Sequence, residues 1–427
     1  MDMLVWLSIG LMTLLFLSGA PLGIAFGLGS GIIAMFVMGL SVENISHIFF
    51  SSIHSYPLLA CPFFILAGNL ILRSGGMVPL RKLMQALFGH WPGGLAVATI
   101  IFGAFLGSIS GSSAACVAII GTAIVPILLE SGYDRPFASG LTVTAGELGL
   151  LIPPSLFFII FGALNKISIA DLFLAGIGPG VVTAFFMCII AIFISRKRKY
   201  KTGVTATWTE RRQTFTKALP VLFMPILIFG GIYSGKFSPT QAAAVAAIYS
   251  AGIGLLVYRE LTFDGIKDSI VETMKISGMI YFLIIGSDLM GRMFGYVMLP
   301  QSICNWVTAI ELAPLNFLLL VDILLLVMGL VFSSIPMVII VLPLFLPTVH
   351  SLGIDPVFYG VLAVMNSLIG EITPPFGPQL WVTAPICHEK IGAIAREAAP
   401  FLVAWALAML LTTFIPGIAM FAVKCFG

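Results

Sequence analysis

Four short patches of Ser, Gly, Thr, Glu and Pro interrupt otherwise apolar stretches of this chain. They are Gly107-Ser108-Ile109-Ser110-Gly111-Ser112-Ser113, Gly146-Glu147-Leu148-Gly149-Leu150-Leu151-Ile152-Pro153-Pro154-Ser155, Phe332-Ser333-Ser334-Ile335-Pro336 and Gly370-Glu371-Ile372-Thr373-Pro374-Pro375-Phe376-Gly377-Pro378. Proline lacks an N–H and displaces the carbonyl four residues back, so paired prolines free carbonyl oxygens. Free carbonyls and Ser or Thr hydroxyls are hard, neutral oxygen ligands. They suit an alkali cation, and the N-termini of half-helices favour an anionic substrate. The same residue types also serve close helix packing and kinks. A single patch reads as packing; four patches in two matched pairs read as ion and substrate binding.

The pairing comes from an internal repeat. One gapless offset of 221 residues places Ser112 on Ser333, Ser113 on Ser334, Pro126 on Pro347, Gly132 on Gly353 and Asp134 on Asp355. It continues with Gly149 on Gly370, Pro153-Pro154 on Pro374-Pro375 and Pro179 on Pro400. Matched Ser-Ser, Pro-Pro, Gly and Asp at one offset are far less accessible to chance than matched apolar residues.

The elements that must position these patches are membrane helices. The 427-residue chain is 59% hydrophobic and 9% charged, where soluble domains carry about 25% charged residues. Its mean hydropathy is +1.11. A net charge of +3 gives no footprint for nucleic acid. Six cysteines without a CxxC pair read as small hydrophobes. Met1-Asp2-Met3 lacks a basic leader, so Leu4 to Leu17 is expected to be kept as a helix rather than cleaved as a signal. A span needs about 20 mostly apolar residues, and ten candidates follow: 4–18, 22–40, 57–72, 137–164, 173–195, 218–234, 240–258, 275–291, 356–386 and 398–423. Two further stretches, 94–129 and 313–349, are broken mid-way and read as re-entrant hairpins. The chain thus divides into a first repeat within 1–195, a basic linker at 196–217 and a second repeat within 218–427.

Charge tests this layout. It puts 17 of the 21 basic residues on one side, eight of them between Arg196 and Lys217, and only Lys166, Lys236, Arg292 and Lys424 on the other. The positive-inside rule makes the first side cytoplasmic. The linker is then cytoplasmic and available to anionic lipid headgroups, and both termini face outward. The repeats have opposite orientations. Inverted repeats with interrupted helices are the mark of secondary transporters, so the fold class is an all-α integral membrane protein.

The motifs also carry a family resemblance. Pro62-Phe63-Phe64-Ile65-Leu66-Ala67-Gly68-Asn69, Ser110-Gly111-Ser112-Ser113-Ala114, Leu148-Gly149-Leu150-Leu151-Ile152-Pro153-Pro154-Ser155 and Ile372-Thr373-Pro374-Pro375-Phe376-Gly377 resemble the large membrane (M) subunit of tripartite ATP-independent periplasmic (TRAP) transporters. The resemblance spans essentially the whole chain. It implies sodium-driven uptake of a small organic acid, such as a sialic acid or a C4-dicarboxylate, by an elevator movement in the bacterial inner membrane. It also implies a four-helix membrane partner (Q) and a periplasmic substrate-binding protein (P). Carried to this chain, at least two sodium sites would use Ser110, Ser112, Ser113, Gly149 and Pro153 in the first repeat. The second repeat would use Ser333, Ser334, Gly370, Thr373 and Pro374.

Charges within spans are expensive and mark function by default. Glu147 and Glu371 lie in the second and fourth patches but are not repeat partners, since the offset sets Leu368 opposite Glu147. Each either caps a half-helix or takes part in sodium or proton coupling. Asp288 and Arg292, four residues apart, either pair on one helix face or leave Arg292 for a substrate carboxylate. Arg292 and Asn366 are the candidate substrate contacts, and Asp322 is left without a role. One such cation suits a monocarboxylate such as sialic acid better than a dicarboxylate. No HExxH, GxSxG or nucleotide-binding motif supports an enzyme or an ATP-driven pump. A stand-alone sodium–carboxylate transporter and a channel remain the rivals.

Overall fold

The computed structural model describes residues 10–16, 18–20, 22–200, 205–330, 332–375 and 377–427, and among them every regular element is helical. Among the described residues, nine helical segments are long and apolar enough to cross a membrane. Hydrocarbon offers no partner for a backbone N–H or C=O, so a spanning segment must satisfy those groups internally.

Both expected hairpins are present. The first runs in along Gly94–Ser110, turns, and returns along Ser113–Ala123 and Val125–Glu130. Its turn depends on Gly111, whose φ of 61° lies in the left-handed region that favours glycine. Ser112 then caps the returning arm, its hydroxyl accepting from the Ala115 N–H. The second hairpin runs in along Pro314–Gly329 and returns through Ser334–Pro336, Met337–Val341 and Leu342–Ser351. Both interrupted helices are also present, as Arg135–Leu151 with Leu156–Asn165, and Pro356–Glu371 with Pro378–Cys387. The Pro153-Pro154 and Pro374-Pro375 peptide bonds are both cis.

Each hairpin crosses its interrupted helix at a pair of glycines. A Cβ added to Gly149 would lie 2.3 Å from the Gly107 Cα, and one added to Gly370 would lie 2.5 Å from the Gly329 Cα. No side chain fits at either crossing, so backbone rests on backbone. Flanking helices Ile169–Lys197 and Ile391–Phe414 carry Pro179 and Pro400 at matched positions and pack against each other. The remaining long helices pair among themselves: Leu22–Phe36 with Phe263–Tyr296, and Ala60–Arg73 with Pro239–Gly252. Trp208–Tyr233 packs beside Met77–Phe88. The hairpins and interrupted helices thus form one group, and these helices another.

The structure differs from the sequence reading in three places. Val42–Ile53, Met77–Phe88 and Leu299–Ala309 are short amphipathic helices, too short and too polar on one face to register as spans. The 275–291 span is the middle of a 34-residue helix, Phe263–Tyr296. The 398–423 span is two helices, Ile391–Phe414 and Gly417–Phe426, because Pro416 disfavours a helical Ile415, found at φ −123° and ψ 78°. Of the 4–18 span, residues 10–16 are helical and most of the rest lies outside the described residues.

Arg198 and Arg73 hold four of the five ion pairs found among the described residues. Arg198 makes two 2.8 Å bonds to the Glu397 carboxylate and a 3.3 Å bond to Asp134, and it stands over the Phe137 ring. The Tyr200 hydroxyl donates to Asp134 at 2.6 Å. Burial pushes that hydroxyl up to about 12, so it stays a donor at neutral pH. The start of the linker is therefore fastened to Asp134, which precedes the helix Arg135–Leu151, and to Glu397 in the second turn of Ile391–Phe414. Arg73 bonds Asp268 and Glu272 in the other group.

Adding one methyl at a glycine crossing tests this packing. Gly149→Ala and Gly370→Ala are each expected to cost about 1–3 kcal/mol, because backbone must move to admit the Cβ. Gly230→Ala, with no described atom within 4 Å of the new Cβ, should be neutral or slightly stabilising. Thermal unfolding of the purified protein compares the three; a Gly149→Ala variant as stable as Gly230→Ala would contradict the crossing.

Candidate ion and substrate site

The hairpin tips sit on the helix breaks. Gly111, at the first tip, packs against Leu156, the first residue beyond the first break; a Cβ on Gly111 would lie 2.7 Å from its Cγ. At the second tip, the Ser334 N–H donates to Glu371 Oε1 at 2.5 Å. A second contact crosses between the repeats. The Gln379 side-chain amide donates to the Ser113 hydroxyl of the first tip and, at 3.4 Å, to Glu371 Oε2. One polar chain, Ser113–Gln379–Glu371–Ser334, therefore joins both tips through the second break.

Several buried oxygens in this region lack a partner among the described residues: both carboxylate oxygens of Glu147, Ser155 Oγ, Ser334 Oγ and Gln379 Oε1. Glu147 is 0% exposed, and the groups that act on its charge are Ser113 and Glu371. These atoms are acceptors or hydroxyls, the donor set of a hard cation. The two breaks differ in access. Pro153, Pro154 and Ser155 are buried, whereas Pro374 and Pro375 are exposed.

Sequence comparison places this arrangement. Residues 9–418 match the family described as tripartite ATP-independent periplasmic transporter, DctM component. The chain belongs to that family. The "C4-dicarboxylate TRAP transporter large permease protein DctM" of Pseudomonas aeruginosa is 35% identical over 396 residues, 93% of each chain. The "Sialic acid TRAP transporter large permease protein SiaM" of Vibrio cholerae is 33% identical over 364 residues, 85% of each. Among solved structures, the YdaH transporter of Alcanivorax borkumensis aligns with a TM-score of 0.67 at 16% identity, covering 88% of this chain and 90% of that one. That last likeness concerns fold alone. This DctM-family chain is thus the large membrane subunit of a TRAP transporter, a multi-pass protein of the bacterial inner membrane rather than an enzyme.

The expected site residues of this TRAP subunit fall into distinct environments. Ser110 and Ser112 form the first tip, where Ser110 Oγ bonds the Ser112 carbonyl and Cys116 Sγ. Ser113 and Ser334 enter the polar chain, and Ser333 lines a cavity shared with Leu22, Met279 and Pro336. Gly149 and Gly370 are the crossing glycines, and Pro153 and Pro374 lie in the breaks. Thr373 donates to the Ile369 carbonyl at 2.6 Å, which leaves its oxygen lone pairs free. Arg292 lies elsewhere. Its Nε bonds Asp288 at 3.1 Å, Asp288 also accepts from Ser52 at 2.7 Å, and the guanidinium is half exposed. The structure thus realises the ion-pair reading of Arg292. Asn366 is fully buried, with its amide on Asp322, which also accepts from Thr413 at 3.3 Å. Its amide nitrogen is committed to that pair rather than presented to a cavity.

Of the two glutamates, only Glu371 has the expected capping role, and it caps the returning arm of the second hairpin. Glu147 caps nothing among the described residues. Sequence reasoning missed Gln379 and Ser155. The available signal was a lone amide in an apolar segment directly after Pro378, which is costly unless it has a partner.

Glu371→Ala tests the polar chain. It leaves the Ser334 N–H without an acceptor, at about 1–3 kcal/mol for a buried group, and leaves the Gln379 amide with Ser113 alone. The expected outcome is a clear fall in melting temperature. Glu371→Gln, which keeps one acceptor, should fall between the alanine variant and the unmodified protein. Equal melting of all three would show that the chain contributes nothing to stability.

Proposed function

We propose that this subunit takes up a small organic acid by sodium symport. In this reading the hairpin-bearing group moves as an elevator against the other helices. The observation that carries it is the seating of both hairpin tips on Pro-Pro breaks, with unpaired oxygens beside them. The first sodium site takes hydroxyls and carbonyls from Ser110, Ser112, Ser113, Gly149 and Pro153. The second takes them from Ser333, Ser334, Gly370, Thr373 and Pro374. The exposed second break favours water over lipid beside it, since freed backbone groups cannot be left in hydrocarbon. The linker end of the molecule is cytoplasmic, following its excess of basic residues. A small four-helix membrane subunit and a periplasmic binding protein complete the transporter and deliver the substrate.

The substrate class follows from relatives named for C4-dicarboxylate and for sialic acid, which share the carboxylate. Arg292 is its candidate cation, through the guanidinium nitrogens that Asp288 leaves free. Uptake of several labelled acids by the reconstituted complex, with and without a sodium gradient, selects among them.

Sodium dependence of uptake should show a Hill coefficient above about 1, as binding at more than one site requires. Ser112→Ala and Ser333→Ala each remove one neutral ligand, a loss of about 1 kcal/mol, so apparent sodium affinity should fall several-fold while saturated uptake partly survives. Equal uptake in potassium would overturn the sodium assignment.

Arg292→Ala should abolish uptake while the protein still folds, which a melting curve run alongside checks because Asp288 loses its cationic partner and keeps only Ser52. Normal uptake by the folded variant removes Arg292 from the substrate path.

A further inference from the structure

Glu147 and Glu371 occupy one buried region, yet their surroundings differ. Both carboxylate oxygens of Glu371 have donors, the Ser334 N–H and the Gln379 amide. Neither oxygen of Glu147 has one. Neither residue takes part in an ion pair among the described residues. Water could donate hydrogen bonds to Glu147 but would leave its charge in place, and an isolated buried charge is strongly disfavoured. Two further atoms, Gln379 Oε1 and Ser334 Oγ, are likewise unpaired among the described residues and more than nine-tenths buried. Gln379 reaches this region from the second repeat, through its bond to Ser113.

We infer that Glu147 is the charged ligand of a further monovalent cation site that bridges the two repeats, with Ser113 and the Gln379 carbonyl oxygen as neutral ligands. Both oxygens of Glu371 already accept hydrogen bonds, so Glu147 is the carboxylate whose oxygens stay open to a ligand, and a hard alkali cation of the sodium class fits them. The repeat offset shows that the site is not a copy of either tip site. Leu368 stands at the position equivalent to Glu147, and Phe158 at the position equivalent to Gln379. The site is therefore single, and it forms only where the two repeats meet. Its occupant ties the first interrupted helix to the second and joins both tips into one unit. The same cation neutralises Glu147 within whichever part of the protein carries it.

Cation-dependent melting of the purified full-length subunit, together with any membrane partner it retains, tests the site without measuring transport. Sodium chloride is titrated against choline chloride at constant ionic strength. The unmodified protein should gain thermal stability with sodium. Glu147→Gln should be at least as stable as the unmodified protein without sodium, and its apparent sodium affinity should be weaker by about tenfold or more, the scale of losing a charged ligand. Should Glu147→Gln not fold, Glu147→Leu places there the residue found at the repeat-equivalent position. Sodium titrations of the variant and the unmodified protein that overlap overturn the inference. Stabilisation that saturates with calcium chloride but not with sodium overturns the monovalent assignment.

The double variant Ser112→Ala/Ser333→Ala separates this inference from the tip sites proposed above. If it titrates like the unmodified protein while Glu147→Gln does not, the tip sites fall and the bridging site stands. The reverse pattern sinks the bridging site alone.

Discussion

Everything in this molecule depends on the rule that a backbone polar group cannot be left unsatisfied in hydrocarbon. Two helices stop and restart at membrane depth, and two hairpins turn back there, so four sets of helix termini need a place away from lipid. The structure answers by stacking them. Each hairpin tip is set on a break, and the glycine pairs Gly107–Gly149 and Gly329–Gly370 let the two chains approach closely enough for the stacking to work. Glu371 supplies the acceptor for the N–H at the second tip, and Ser112 does the corresponding service at the first. A site rich in oxygen ligands is thus a by-product of solving a solvation problem, which is why the breaks and the chemistry coincide.

Much of this was legible in the chain because its signals are periodic or paired. The 221-residue offset located both hairpins and both interrupted helices to within a few residues, and the 17-to-4 split of basic residues gave an expected orientation for them. What escaped was whatever depends on contacts between segments far apart in sequence. The Asp288–Arg292 pair was one of two readings, but Ser52, which bonds Asp288 across 236 residues, was not foreseen. Asn366 read as a substrate contact, but it meets Asp322 across 44 residues. Gln379 bonds Ser113 across 266 residues, a link that no local pattern announces. The amphipathic helices escaped for another reason: twelve residues such as Val42–Ile53 carry too little apolar length to be seen as membrane elements.

The two repeats share a backbone plan but not a polar inventory. The buried group Asp322, Asn366 and Thr413 belongs to the second repeat alone, where Ile101, Ala145 and Ile192 stand at the equivalent positions of the first. The first break is buried while the second is exposed at Pro374 and Pro375. Duplication supplied the symmetric scaffold of tips and breaks. The asymmetric residues then gave the halves separate electrostatic characters, with Glu147 buried without a hydrogen-bond partner among the described residues on one side and Glu371 hydrogen-bonded at both oxygens on the other.

The fastening of Arg198 and Tyr200 onto Asp134 and Glu397 sets a leash length. The hairpin-bearing group is held at Tyr200, and the other group begins at Trp208. A fully extended chain gains at most about 3.6 Å per residue, so those two anchor points can stand no farther apart than about 29 Å while the fastening holds. Release of Arg198 from its two carboxylates would lengthen the leash. Any displacement of one helical group past the other, as the proposed elevator requires, would therefore be bounded by covalent geometry and by a few ionic contacts.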